Sequence, residues 1–334
     1  MQHTFSRRRL LAGATALSLG AGIVSSVHRP RSVSAGSGLN VIATTGQVAD
    51  AVRGIAGDLV SVAAIMGPGV DPHTYTPSQG DIERLSNADA ILYSGLELEG
   101  RFDEVFESLE SEKTIVAVAE SIPPEQLVAS PQYPDQFDPH VWFDPAIWDF
   151  AIAAAAAALV EADPDNAATY EANATIYRDQ VRAFDAYATQ VLGTVAPERR
   201  VLVTAHDAFN YFGRRYGFEV VGIQGISTET EAGVNDLQMV AQLIADRQIP
   251  AIFVESSVSG STIEAVQAAV RDRGFEVVIG GQLYSDAMGD EGTPEGTYVG
   301  MFTANVNTIA TSLGGSLTPA TPLPATPAVA TPLS

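Results

Sequence analysis

Cysteine is absent from all 334 residues. Disulfides and thiolate metal sites are thereby excluded, as is a lipid-modified N-terminal cysteine. Stability must come from a packed core alone. Basic residues are also scarce: 18 Lys and Arg stand against 40 Asp and Glu, for a formal charge of −22 and a pI near 4.4. Five of those basic residues, Arg7, Arg8, Arg9, Arg29 and Arg31, lie in the first 35 positions, where there is no acid. The remainder is therefore more acidic still. Such a surface repels nucleic acid and anionic membranes. It serves solubility and is no sign of a metal site by itself. Long hydrophobic runs are missing too. Ala151–Val160 is apolar, but ten residues fall short of the ~20 that cross a bilayer, so it reads as a buried helix segment. Against these absences, hydrophobic residues make up 46% and charged residues 17%. That composition supports a sizeable core in one large domain or two lobes.

Residues 1–35 read as an export signal. Ser6-Arg7-Arg8-Arg9 leads into an apolar stretch, Leu10 to Val24, and Val33-Ser34-Ala35 offers cleavage after Ala35. Arg7-Arg8 followed by Arg9, Leu10 and Leu11 resembles a twin-arginine signal, which exports proteins already folded. An ordinary secretory signal with an arginine-rich start is the alternative. An uncleaved anchor is a further one.

From Leu39 onward, β-rich runs alternate with amphipathic stretches. Strands are expected at Leu39–Thr45, Leu59–Met66, Ala88–Ser94 and Thr114–Val118. Helices are expected between them at Gln47–Gly57, Pro77–Asn87 and Phe102–Leu109. The rhythm returns with strands at Arg200–Ala205, Glu219–Ile223, Ala251–Glu255 and Phe275–Ile279. Helices at Ala208–Tyr216, Val234–Arg247 and Thr262–Arg273 separate them, with Gly217 and Gly274 where helix C-caps belong. This alternation predicts an α/β protein with mostly parallel sheets covered on both faces. Between the halves, Pro164 to Val195 has helical periodicity without an internal proline, which predicts one long, stiff linking helix. The expected organisation is a signal over 1–35, an N-terminal lobe over 36–163, a linking helix over 164–195, a C-terminal lobe over 196–316 and a Pro/Thr/Ala-rich tail over 317–334.

His3 and His28 fall in the signal region, leaving His73, His140 and His206. Neutral imidazole offers a nitrogen lone pair, and histidine is the commonest metal ligand. His73 and His140 each close an Asp-Pro-His tripeptide, Asp71-Pro72-His73 and Asp138-Pro139-His140. His206 follows a predicted strand directly, at the kind of carboxyl edge where open α/β sheets bind ligands. The aspartates of the two tripeptides are placed either to orient the imidazoles or to cap turns. A fourth ligand is expected from the C-terminal half. Asp286, in Tyr284-Ser285-Asp286-Ala287-Met288-Gly289, is the first candidate and Glu255 its competitor. Three imidazoles and a carboxylate suit a near-tetrahedral ion. No short motif such as His-Glu-x-x-His is present.

Taken in order, five stretches resemble the metal-specific solute-binding proteins of ABC importers, the TroA-like zinc/manganese-binding family (cluster A-I). They are Asp71-Pro72-His73-Thr74-Tyr75, Asp138-Pro139-His140-Val141-Trp142, Thr204-Ala205-His206-Asp207-Ala208-Phe209, Gly225–Gly233, and Tyr284-Ser285-Asp286-Ala287-Met288-Gly289. The resemblance implies two (β/α) lobes on one backbone helix. It implies first ligands at His73 and His140 from one lobe and at His206 and Asp286 from the other. It also implies delivery of the ion by a monomer to a membrane permease driven by a separate ATPase, in the periplasm or on the outer face of the cytoplasmic membrane. This chain departs from the pattern in having no lipid-anchoring cysteine and no His-rich loop at Pro131–Phe137. His206 pulls toward zinc, since manganese-specific relatives often carry glutamate there. Asp286 and Gly225–Gly233 look like manganese-type members. The balance leans to zinc over manganese or iron. Two other readings are a zinc hydrolase, with Glu255 or Glu229 as base, and a surface adhesin with a structural metal. Because ligation needs deprotonated imidazole, binding is expected to weaken below about pH 6.

Overall fold

The computed structural model describes residues 38–317, except 112 and 132. The expected signal over 1–35 and the expected tail beyond Leu317 lie outside the described residues.

The first half is built around four strands: β1 (Leu39–Ala43), β2 (Val60–Ala64), β3 (Ala90–Tyr93) and β4 (Thr114–Ala117). All pairs are parallel, in the order β2-β1-β3-β4, with Val41 opposite Val62 on one side and Ala90 on the other. The apolar runs Val41–Ala43 of β1 and Ala90–Tyr93 of β3 suit strands buried on both faces. Helices α1 (Gly46–Ala56), α2 (Gln79–Ser86) and α3 (Asp103–Leu109) connect them. Local chemistry sets the helix starts. Thr45 caps α1 by accepting from Val48 N, and Ser78 with Asp81 closes a capping box on α2.

The second half repeats the plan with β5 (Val201–Thr204) parallel to β6 (Glu219–Gly222), and β7 (Ala251–Glu255) parallel to β8 (Val278–Leu283). β5 lies beside β7. Helices α6 (Asn210–Tyr216), α7 (Val234–Arg247), α8 (Ser261–Arg271) and α9 (Tyr298–Ser312) cover these strands. The last strand begins three residues later than Phe275–Ile279 predicts. After α8 the chain turns back through Gly274 (φ 83°), and Phe275 N still bonds Val270 O, so pairing starts only where Val278 N reaches Pro250 O. Gly280 then sits inside the strand. A Cβ there would lie 2.7 Å from Ser312 and 2.9 Å from Phe253, so the glycine permits close approach of α9.

Two helices join the halves. α4 spans Pro145–Ala162, 18 residues, begun by an Asp144 cap on Ala146 N and by Pro145. It is longer than the ten-residue segment expected, and by length and composition alone it is apolar enough to cross a membrane. Its face of Ile147, Trp148, Ala151, Ile152, Ala155 and Leu159 is buried against α5 and α1, which makes it an interior helix of the fold. α5 spans Ala167–Leu192, 26 residues and so roughly 39 Å at 1.5 Å per residue, after a 3-10 turn at Pro164–Asn166. Gly54 of α1 lets it settle on α5, since a Cβ there would sit 2.3 Å from the Tyr177 ring.

One apolar core runs through both halves. It takes in Val41 and Leu92 from the first sheet, Trp148 and Leu159 of α4, Tyr177 and Phe184 of α5, Phe212 of α6 and Phe302 of α9. Smaller clusters back the far faces, around Ile91 and Phe102 on one side and Val203, Ile252 and Val266 on the other.

Candidate metal centre

Each candidate ligand stands on a loop fixed by its own backbone chemistry. In both Asp-Pro-His tripeptides the aspartate accepts from the histidine N–H two residues on, at 2.9 Å: Asp71 Oδ1 for His73 and Asp138 Oδ1 for His140. Thereafter the two copies differ. Asp138 Oδ1 also accepts from His140 Nδ1 at 2.7 Å, so it caps the turn and aims the ring. Asp71 Oδ2 instead accepts from Thr74 Oγ1 at 3.0 Å and, across the cleft, from Thr228 Oγ1 at 2.6 Å.

His206 leaves the end of β5. Its backbone N and its Nδ1 both donate to Glu255, at 2.8 and 2.5 Å. Glu255, the competitor for fourth ligand, therefore lies behind His206 and is not among the converging donors. Asp286 follows β8 on a loop gripped from both halves. Gln47 Nε2 donates to Asp286 O at 3.0 Å, and Trp142 Nε1 to Ser285 O at 3.2 Å. Ser256 Oγ donates to Ala287 O at 2.8 Å, while Asn305 takes both polar backbone groups of Tyr284. Sequence reasoning missed Gln47 and Asn305, and it singled out Trp142 only as part of the Asp138–Trp142 stretch, without its bond to Ser285; each acts on a segment more than twenty residues away.

His73, His140, His206 and Asp286 are brought together, all buried, with their donor atoms within 4.8 Å of one another. His140 Nε2 lies 3.2 Å from His73 Nε2 and 3.4 Å from His206 Nε2. Asp286 Oδ1 is 3.3 Å from His140 Nε2, and Oδ2 is 3.3 Å from His206 Nε2. A tetrahedron with bonds of ~2.0 Å has edges of roughly 3.3 Å, so these four contacts are close to its edges, within a donor set that spans up to 4.8 Å. Because Asp138 and Glu255 take the Nδ1 protons, the Nε2 atoms of His140 and His206 face the centre. Trp142 lies edge-on to His140 with ring centroids 5.3 Å apart.

The charges are strongly coupled. Burial disfavours the imidazolium of His140, but Asp138 and Asp286 outweigh it and hold its pKa up at about 9. Burial likewise opposes charge on His206, and Glu255 with Asp286 raises it well above its usual value. His73 has no such carboxylate at its back. Burial drops it to about 3, with only Asp286 opposing. Burial alone would raise Asp286, but His206 and His140 pull it well below the carboxylate range. Without an ion, protons on His140 and His206 balance the buried carboxylates. A divalent cation at the centre would do the same work.

Beyond His73 a cavity of about 320 Å³ opens to solvent, lined by Leu96, Arg101, Tyr133, Phe137 and Glu229 among others. Arg101 bridges its mouth, donating to Thr76 Oγ1 at 2.9 Å in the first half and to Glu229 Oε1 at 3.0 Å in the second. Glu229, proposed as a base in the hydrolase reading, is thus paired. Both oxygens of Glu255 are taken by His206.

Comparison with known proteins supplies the context. The family model described as zinc-uptake complex component A, periplasmic (ZnuA), matches residues 41–312. The zinc-binding protein TroA of Treponema pallidum (strain Nichols) is 46% identical over 307 residues, covering 92% of this chain and 99% of that one. The manganese-binding lipoprotein MntA of Bacillus subtilis (strain 168) is 47% identical over 280 residues, covering 84% and 91%. Among solved structures, the periplasmic zinc-binding protein TroA from Treponema pallidum superposes with a TM-score of 0.81 at 48% identity, over 83% of this chain and 99% of that one.

Proposed function

Since the chain belongs to the ZnuA family, we propose that it is the extracytoplasmic metal-capturing subunit of an ABC importer, with a divalent transition ion as its cargo. One observation carries the reading. Four buried side chains, two from each half, bring their donor atoms to the spacings of a single coordination shell. His73, His140, His206 and Asp286 are the ligands we assign. Asp138 and Glu255 hold two of the imidazoles by Nδ1. The loop carrying Asp286 is held by Gln47 and Trp142 of the opposite half, so closing the cleft and completing the shell are one event.

The chain acts as a monomer and hands the ion to a membrane permease served by a separate ATPase. The common core and the 26-residue α5 restrict opening to a small tilt or to a rearrangement near Asp286. With three imidazole nitrogens and one carboxylate, the set favours zinc over manganese. It is a carrier and not an enzyme: four protein ligands fill a tetrahedral shell and leave no position for a reactive water.

Elemental analysis of protein purified without added metal, followed by zinc and manganese titration, tests the proposal. One equivalent of ion is expected for the wild type, with binding lost in His140→Ala. Absence of binding in the wild type, or full binding in the variant, overturns it.

A further inference from the structure

Three consecutive residues after β3 take a left-handed φ: Gly95 at 85°, Leu96 at 55° and Glu97 at 65°. Leucine and glutamate rarely sit there, and a backbone held in that region persists only where its surroundings fix it. Among the described residues the one other non-glycine case is Gln248, which ends α7 as a helix C-cap. Leu96 and Glu97 follow a strand, so helix capping does not explain them.

What fixes the turn is Glu99. This buried carboxylate receives three donors: Thr44 Oγ1 at 2.6 Å and Ser94 N at 2.8 Å on Oε1, and Gly95 N at 3.0 Å on Oε2. It thereby pins the start of the left-handed run to the ends of β1 and β3. Gly95 is confined from the other side, since a Cβ there would lie 2.9 Å from that of Ala117 in β4.

The turn so held is a wall of the 320 Å³ cavity that ends on His73, for Leu96 and Glu97 both line it. His73 is the candidate ligand nearest solvent, 7% exposed against 3% for Asp286 and 0% for His140 and His206. Arg101, which bridges the cavity mouth, lies two residues past Glu99. One short segment therefore supplies the wall, its anchor and the bridge over it.

We propose that the ion exchanges past His73 and that Glu99 is a positioning residue for this path, keeping Leu96 in the cavity wall by fixing the left-handed turn. The inference rests on the four-ligand reading above and adds the route by which an ion reaches that shell. Glu99 bonds to Thr44, Ser94 and Gly95 and not to a ligand side chain, so it acts on the barrier to exchange and not on the bound state. The same barrier is crossed on the way in and on the way out. Lowering it speeds both directions by one factor and leaves their ratio, the Kd, unchanged.

The test compares wild type, Glu99→Gln and Leu96→Ala, each full chain, by stopped-flow zinc association and chelator-driven zinc release, with the melting temperature of the metal-free protein alongside. Glutamine keeps the shape but offers one accepting oxygen, so Ser94 N or Gly95 N then meets an amide NH₂ and the turn relaxes. Association and release are expected to quicken together, several-fold, in both variants, at an unchanged Kd. Leu96→Ala opens the wall with the Glu99 bonds intact, and so bears on the question even should Glu99→Gln fail to fold. Wild-type rates in either folded variant overturn the proposal, with or without a lower melting temperature, and point to exchange through the cavity of about 270 Å³ beside Asp286 and Met288. Faster release at unchanged association overturns it too, because that is the mark of a weakened shell. Zinc bound in full stoichiometry by His140→Ala would instead overturn the four-ligand reading, whatever the rates.

Discussion

Replacing Glu255 by glutamine separates a residue that positions a ligand from one that is a ligand. Glu255 holds His206 at two points, the backbone N at 2.8 Å and Nδ1 at 2.5 Å, and both partners are donors. A carboxylate accepts at both oxygens. An amide accepts at one and presents N–H₂ at the other, so one of the two bonds must be lost. The ring then loses either its fixed tautomer or its fixed backbone, while the Nε2 ligand atom remains. Loss of such an outer contact weakens metal binding about 10- to 100-fold, or roughly 1.4–2.7 kcal/mol. The metal-free protein suffers as well. Leaving a buried donor unpaired costs about 1–3 kcal/mol, readable as a lower melting temperature without ion. Zinc affinity by chelator competition near pH 7.5, beside His206→Ala and Asp286→Ala, is the measurement. A Glu255→Gln protein that folds and binds zinc like the wild type would refute the positioning role. Loss of binding as complete as in His206→Ala would instead make Glu255 a true ligand.

Three further outcomes are expected. Zinc affinity should fall as pH drops from 9 to 6, approaching tenfold per unit for each proton displaced, because Asp138 and Asp286 hold His140 protonated up to about pH 9 in the metal-free site. The carboxylates thus move the window above the pH 6 suggested by free imidazole, and a flat titration would count against histidine ligation. Arg101→Ala removes an ion pair whose side chains are 45% and 49% exposed, so stability should change by less than about 1 kcal/mol, while stopped-flow zinc release becomes several-fold faster. An unchanged release rate would show that the bridge over the cavity mouth does not gate the ion. Gly54→Ala places a Cβ 2.3 Å from the Tyr177 ring and should destabilise the protein by about 1–3 kcal/mol in urea unfolding; no shift in midpoint would mean that α1 and α5 do not pack as described.

Much of this was legible in the sequence, for identifiable reasons. Strand segments such as Val41–Ala43 and Ala90–Leu92 are buried, and their apolar runs announce it. His73, His140 and His206 were conspicuous because so few histidines remain after the first 35 residues. What escaped notice depends on contacts distant in the chain. α9 carries Gly, Thr and Asn between its apolar positions, so Tyr298–Ser312 gives a weak periodic signal, yet Met301, Phe302 and Val306 are fully buried. Glu255 reads as a rival ligand in the sequence because a carboxylate at a strand end looks the same whether it faces an ion or the back of an imidazole. Only the His206 Nδ1 contact tells which. The doubled Asp-Pro-His hides a similar ambiguity, since Asp71 and Asp138 make the same backbone turn, after which Asp138 Oδ1 also holds the His140 ring while Asp71 Oδ2 reaches Thr228.

The continuous apolar interior has a consequence for how the molecule comes apart. Tyr177, Phe184 and Phe302 bury surface belonging to both halves at once, so no plane divides the protein without exposing that shared interior to water. Heat or urea should therefore melt the whole in a single cooperative step, and either half expressed by itself would present a large bare hydrophobic face. Evolution can tune such a protein by changing loops around the ion, but it has no separable modules to shuffle.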